Sequence, residues 1–185
     1  MPEELKFNVS DLVNIFNHLF VGDELTELVP GADEPLYLPR SETKGLNQLC
    51  SRHDYFSSAL HEVSHWCIAG KKRRLLIDFG YWYAPDGRTV EQQQQFEKAE
   101  VKPQSLEWLF SVACSLPFCL SVDNVALPGL KASCEFKQHV HSQTVHYLSQ
   151  GLPDRADRFL RALLGFYQPE REMLQVSDFL LPQLR

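Results

Sequence analysis

Apolar side chains recur at helical spacing through most of the chain. Leu12, Val13, Phe16, Leu19 and Phe20 fall on one face, with Ser10 available as the N-cap and Gly22 as the stop. Phe56, Ala59, Leu60, Val63 and Cys67 repeat the pattern within Arg52 to Ala69, the clearest helix of the sequence, which Gly70 ends. The spacing predicts a helix over Val90 to Ala99 and, after a break at Pro103, another over Gln104 to Ser115, where Leu106, Leu109, Phe110 and Ala113 recur. Amphipathic helices over Cys134 to Gln150 and Asp154 to Tyr167 follow, and a Pro-bounded tail is expected to dock as one more turn.

Strand signals are fewer. Leu36-Tyr37-Leu38 is a short strand candidate inside a region, Val29 to Cys50, that Pro30, Gly31, Pro35, Pro39 and Gly45 otherwise mark as loop. Leu75-Leu76-Ile77-Asp78-Phe79 reads as a buried strand, followed by an aromatic segment, Gly80 to Ala84, and a turn at Pro85-Asp86-Gly87. Gln92 to Gln95 reads as an exposed helix face. No internal repeat or long linker divides the pattern, so residues 1–185 are expected to form a single α+β domain, helix-rich with a small sheet.

Composition narrows the function classes. At 185 residues and 44% hydrophobic, the chain can bury a full core, which excludes disorder. The charge is −6, from 18 Lys and Arg against 24 Asp and Glu, and this argues against holding nucleic acid by broad phosphate neutralisation. The basic run Lys71-Lys72-Arg73-Arg74 is short enough to be a solvated turn. No segment reads as a signal peptide or a membrane span, since the most apolar stretch, Ser111 to Val122, is short and carries Pro117. Cys50, Cys67, Cys114, Cys119 and Cys134 form an odd, scattered set without a Cys-x-x-Cys pair, so they are read as reduced core thiols of a cytoplasmic protein.

The chemistry concentrates in His61-Glu62-Val63-Ser64-His65, an H-E-x-x-H pattern within the clearest helix. Histidines four apart share a helical face, so both imidazoles can reach one metal ion, and Glu62 projects beside them as a candidate catalytic carboxylate. Two imidazoles under-coordinate a metal. Among Glu97, Glu100 and Glu107, Glu100 is favoured as third ligand because it ends the expected helix before Val101-Lys102-Pro103, where the chain can turn inward. Glu97 is the first substitute, and Glu107 reads as a solvated helix position beside Trp108. His139, His141 and His146 lack the four-residue spacing of a metal pair and read as a polar helix face. Asp78-Phe79-Gly80 matches a kinase signature only in isolation, without a glycine-rich loop or a His-Arg-Asp loop. A His, His, Glu set serves zinc hydrolysis, with Glu62 as general base, and equally serves ferrous oxygen chemistry on an open coordination face.

The run Ser58-Ala59-Leu60-His61-Glu62-Val63-Ser64-His65-Trp66-Cys67-Ile68-Ala69-Gly70-Lys71 closely resembles the bacterial elongation factor P hydroxylase family. So do Asp78-Phe79-Gly80-Tyr81-Trp82-Tyr83 with Pro85-Asp86-Gly87-Arg88, Phe96-Glu97, Glu100-Val101-Lys102-Pro103-Gln104, and, upstream, Asp33-Glu34-Pro35 and Tyr37-Leu38-Pro39. The resemblance implies an oxygen-dependent enzyme that hydroxylates the lysine of elongation factor P after it has received a β-lysyl group, with His61, His65 and Glu100 binding the metal. Iron(II) is then the expected metal and dioxygen the co-substrate, with zinc the alternative, as in an H-E-x-x-H hydrolase or peptidase. Glu62 would orient a ligand histidine or metal-bound water. A long cationic substrate arm calls for apolar walls and acidic contacts: Tyr81, Trp82 and Tyr83 are candidate walls, and Asp78 and Asp86 candidate contacts. No His-x-Asp pair on a strand-rich barrel marks a 2-oxoglutarate site, and elongation factor P is the expected partner, without direct contact to nucleic acid or membrane.

Overall fold

The computed structural model describes residues 7–79, 88–122 and 131–184. It is a helix-rich α+β structure with a three-stranded sheet. The first helix, α1 (Val9–Phe20), is capped by Asn8, whose Oδ1 accepts from the Ser10 amide at 2.9 Å, so the cap lies two residues before the expected Ser10. Its apolar face buries Leu12, Phe16 and Phe20 completely.

The stretch expected to be mostly loop instead supplies the sheet: β1 (Thr26–Ala32), β2 (Leu36–Leu38) and β3 (Asn47–Arg52). The order is β1-β3-β2, with β1 parallel and β2 antiparallel to β3, so β1 is an edge strand. That position explains how the strand tolerates Pro30, which has no N–H to give a ladder. Register slips between Val29 and Ala32, where Gly31 takes φ +97°, a backbone conformation that favours glycine, and donates to the His53 carbonyl at 2.6 Å.

Helix α2 (Phe56–Ile68) begins later than Arg52 because β3 runs through that residue. Helix α3 (Val90–Ala113) is one unbroken element where two were expected. Pro103 removes only the hydrogen bond to the Ala99 carbonyl, and Ala99 is exposed, so water can take the missing donor's place. Thr89 caps α3 reciprocally with Gln92. The glutamine run is not wholly outward: Gln94 and Gln95 are exposed, while Gln93 is buried and bonds Arg88 and the Val122 carbonyl. Helices α4 (Cys134–Gln150) and α5 (Asp154–Tyr167) have the expected bounds. The tail docks through two short 3-10 turns, burying Leu174, Phe179 and Leu184.

Leu75 to Phe79 is not a buried strand. After a 3-10 turn at Arg73–Leu75, it pairs with Tyr37 through a single bridge at Asp78, and Leu75, Leu76, Ile77 and Phe79 stay between 53% and 75% exposed. The preceding basic run is only half solvated: Lys71 and Lys72 are exposed, but Arg74 Nη1 pairs with Glu24 Oε2 at 2.5 Å, and Arg73 pairs with Asp78. One apolar cluster joins the sheet to all five α-helices. At its centre Trp66 of α2 meets Phe16 and Phe20 edge-on at 4.9 and 4.8 Å, which fixes the rotation of α2 and therefore which of its faces turns toward α3. Among the described residues, no helix is long and apolar enough to cross a membrane.

Candidate metal centre

Burial of Ala59, Leu60, Val63 and Cys67 commits one side of α2 to the core and leaves His61, Glu62 and His65 at its edge, partly exposed to a cleft. From the other side α3 presents Glu100, Gln104 and Glu107. These residues follow one another at four and three positions, so they form a single stripe, and all three are buried.

The two stripes meet. Nε2 of His61 lies 3.1 Å from Nε2 of His65; Glu100 Oε1 lies 3.3 Å from His65 Nε2, and its Oε2 lies 3.9 Å from His61 Nε2. One ligand atom from each residue falls within 4.8 Å of the others. Donors about 2.1 Å from a shared transition-metal ion stand roughly 3 to 3.4 Å apart, which the His61–His65 and His65–Glu100 separations already match, while Glu100 approaches His61 with its other oxygen and at longer range. Two neutral imidazoles and a carboxylate on one side also form the donor set that leaves coordination positions open. The residues present therefore fit a divalent transition metal.

The carboxylates also draw positive charge to the cluster, here a proton on the His61 ring that a bound metal would replace. Burial works against a charged His61, but the carboxylates of Glu107, Glu100 and Glu62 outweigh it and raise its pKa to about 10. Burial likewise opposes ionisation of Glu100, yet His65 and His61, with a hydrogen bond from Gln104, hold its carboxyl down at about 2. Burial pushes Glu62 upward, with the histidines opposing and Glu100 and Glu107 adding to the rise. Three carboxylates around two imidazoles make a pocket whose charge suits a cation.

The remaining expected residues are distributed as follows. Glu100 reaches the histidines, but from the middle of a continuous helix rather than from a chain turn before Pro103. Glu107 is not solvated: it is buried, and its Oε2 lies 2.7 Å from His61 Nδ1. Glu97 is turned away, its carboxylate accepting from the Ser133 hydroxyl at 2.6 Å and from its amide at 3.2 Å. Asp78 pairs with Arg73 and borders a small cavity of about 30 Å³ that adjoins the cleft of Glu100 and Glu107, with Glu62 and His65 lining both, while Asp78 itself lines only the small one. Tyr81, Trp82, Tyr83 and Asp86 lie outside the described residues. His139 and His146 are exposed on α4, as a polar face requires, while His141 lies 3.0 Å from the Phe179 carbonyl and helps hold the tail. In the sequence Gln104 carries no sign of a site role and Glu107 reads as solvated; their spacing from Glu100 places all three on one helical stripe, but only the packing of α3 on α2 turns that stripe inward.

The cleft at the cluster has a volume of about 340 Å³ and is lined by His61, His65, Glu62, Glu100 and Glu107, with Tyr55, Phe79 and Phe96 as apolar wall. Fold and site together define a helix-rich α+β protein with a His-His-carboxylate cluster shared between two helices. The profile of the family described as elongation factor P hydroxylase matches residues 15–179, which include every residue of that cluster. A curated protein of Haemophilus influenzae (strain ATCC 51907 / DSM 11121 / KW20 / Rd), named elongation factor P lysine hydroxylase, is 44% identical over 170 residues, covering 91% of this chain and 94% of its own length. The chain belongs to the elongation factor P hydroxylase family.

Proposed function

We propose that this protein is a metal-dependent, oxygen-dependent hydroxylase of the β-lysylated lysine of elongation factor P, working in the cytoplasm. The observation that carries the reading is the convergence of His61, His65 and Glu100 within 4.8 Å in a chain that belongs to this family. Those three residues would hold the metal, taken as iron(II), whose chemistry there is the activation of dioxygen.

The protein's own side chains do the rest. Gln104 Nε2 donates to Glu100 Oε2 at 3.2 Å, holding the carboxylate in place. Glu62, at the cleft wall and partly desolvated, supplies a carboxylate beside the histidines that can take the ammonium group of a substrate arm or orient a water. Phe96, Phe79 and Tyr55 offer surfaces along which the methylenes of that arm can lie while bulk water is kept from the reacting carbon. Hydroxylation puts one oxygen atom of dioxygen into a C–H bond and the other into water, so an external reductant must supply an electron pair.

The test is reconstitution with iron(II) without oxygen, then addition of oxygen, a two-electron donor and β-lysylated elongation factor P, followed by mass spectrometry. The expected result is a gain of one oxygen atom on the modified lysine, lost in His65→Ala while the variant stays folded. Zinc-dependent cleavage of a peptide or ester without that gain would favour the hydrolase alternative instead.

A further inference from the structure

We infer that Glu107 is a positioning residue that sets which nitrogen of His61 faces the ligand cluster. The inference rests on the metal-binding reading above. The two nitrogens of His61 have different neighbours. Nε2 faces His65 Nε2 at 3.1 Å and Glu100 at 3.9 Å, whereas Nδ1 lies 2.7 Å from Glu107 Oε2.

An ionised carboxylate only accepts hydrogen bonds, so once a metal takes the place of the Nε2 proton of His61, the proton left on the ring is the one on Nδ1, donated to Glu107. The lone pair is then left on Nε2, pointing at His65 and Glu100, where a cation would take it. The other tautomer would set a lone pair against a carboxylate and aim a proton into the cluster. Glu107 is itself held firmly: it is buried, and it stands two turns after Glu100 on the same helix. The register of α3 that brings one carboxylate to the inner nitrogens therefore brings the second to the outer one. A carboxylate accepting the far N–H of a ligand histidine fixes its ring and raises its basicity, and removing such a partner weakens metal binding about 10- to 100-fold.

The same contact could merely tie α2 to α3, and a direct measurement separates the two roles. Glu107→Gln, Glu107→Ala and the parent protein are purified without oxygen and titrated with iron(II), and separately with zinc, against a chromophoric chelator. The expected affinity loss is about 10- to 100-fold for Glu107→Ala, with unchanged stoichiometry. It is smaller for Glu107→Gln, whose amide oxygen still accepts from Nδ1 but carries no charge. Long-range proton–nitrogen NMR correlations on the zinc-loaded parent should show His61 protonated at Nδ1 and bound through Nε2. Should Glu107→Ala not fold, the isosteric Gln variant and this tautomer assignment decide the matter. Variants that bind both metals within about twofold of the parent, or a His61 bound through Nδ1, overturn the inference and leave the metal reading standing. A parent that takes up neither metal removes both.

Discussion

Gln104 shows how much one buried amide can fasten. Its Nε2 donates to Glu100 Oε2 at 3.2 Å and to the Ser121 carbonyl at 2.8 Å, while its Oε1 accepts the Ser121 amide at 3.0 Å. Gln104→Leu would take a hydrogen bond from the buried Glu100 carboxylate, at a cost of about 1–3 kcal/mol, whereas water can reach the amide and carbonyl of exposed Ser121. Chemical denaturation should register the loss, together with weaker metal retention. The cysteines divide by environment rather than behaving as the uniform core set expected from their scatter. Cys50, Cys67 and Cys114 are buried, and burial raises all three thiols, Cys114 to about 12; Cys119 and Cys134 are exposed. A thiol raised far above its ordinary pKa holds almost no reactive thiolate near neutrality. A thiol reagent at mildly alkaline pH should thus modify Cys119 and Cys134 in the native protein, and the other three only after denaturant is added.

At the level of elements, the helices whose apolar faces pack on the core were legible, because burial imposes the spacing that the sequence displays. Punctuation misled. Pro30 and Gly31 looked like loop and are the irregular end of an edge strand; Pro103 looked like a terminus and lies inside α3, tolerated because the carbonyl it orphans faces outward. Leu75 to Phe79 has strand composition but, apart from the bridge at Asp78, pairs with no strand among the described residues, which no local signal reveals. At the site, the histidine pair was readable from one helical turn, whereas Glu107 was not: whether a glutamate is solvated depends on which helix lies opposite, and that is a tertiary fact. Glu97 illustrates the converse, an acidic residue near the ligands in sequence that serves a neighbouring helix start. The Ser133 hydroxyl accepts from the Phe136 amide at 3.0 Å and donates to Glu97 at 2.6 Å. Ser133→Ala should cost about 1 kcal/mol of stability in a denaturation experiment. Metal uptake should be unchanged, because this contact belongs to the α3–α4 junction.

For the molecule as a whole, the tail is part of the core rather than an appendage. Phe179, almost fully buried, packs edge-on against Trp108 of α3 at 5.0 Å, and its carbonyl meets His141 of α4. The family match ends at this residue. Phe179→Ala should lower stability by about 3–5 kcal/mol, measured by urea denaturation, since neighbouring rings cannot all collapse into the space vacated. Because Trp108 adjoins Glu107 in the chain, the same variant should also loosen the far side of α3.

The pair Ser121 and Val122 has a role in the shape of the cleft. Gln104 grips Ser121, and Arg88 and Gln93 both donate to the Val122 carbonyl, at 3.0 and 3.1 Å. Three side chains, Arg88 just before α3 and Gln93 and Gln104 on it, thereby rivet a short strip of backbone that forms one lip of the opening, at Ser121. A lip fixed at so many points behaves as a rigid jamb. Of the described residues around the opening, Tyr55 and Phe79 turn their rings outward, each more than half exposed, and so give the cleft a softer apolar rim beside that jamb.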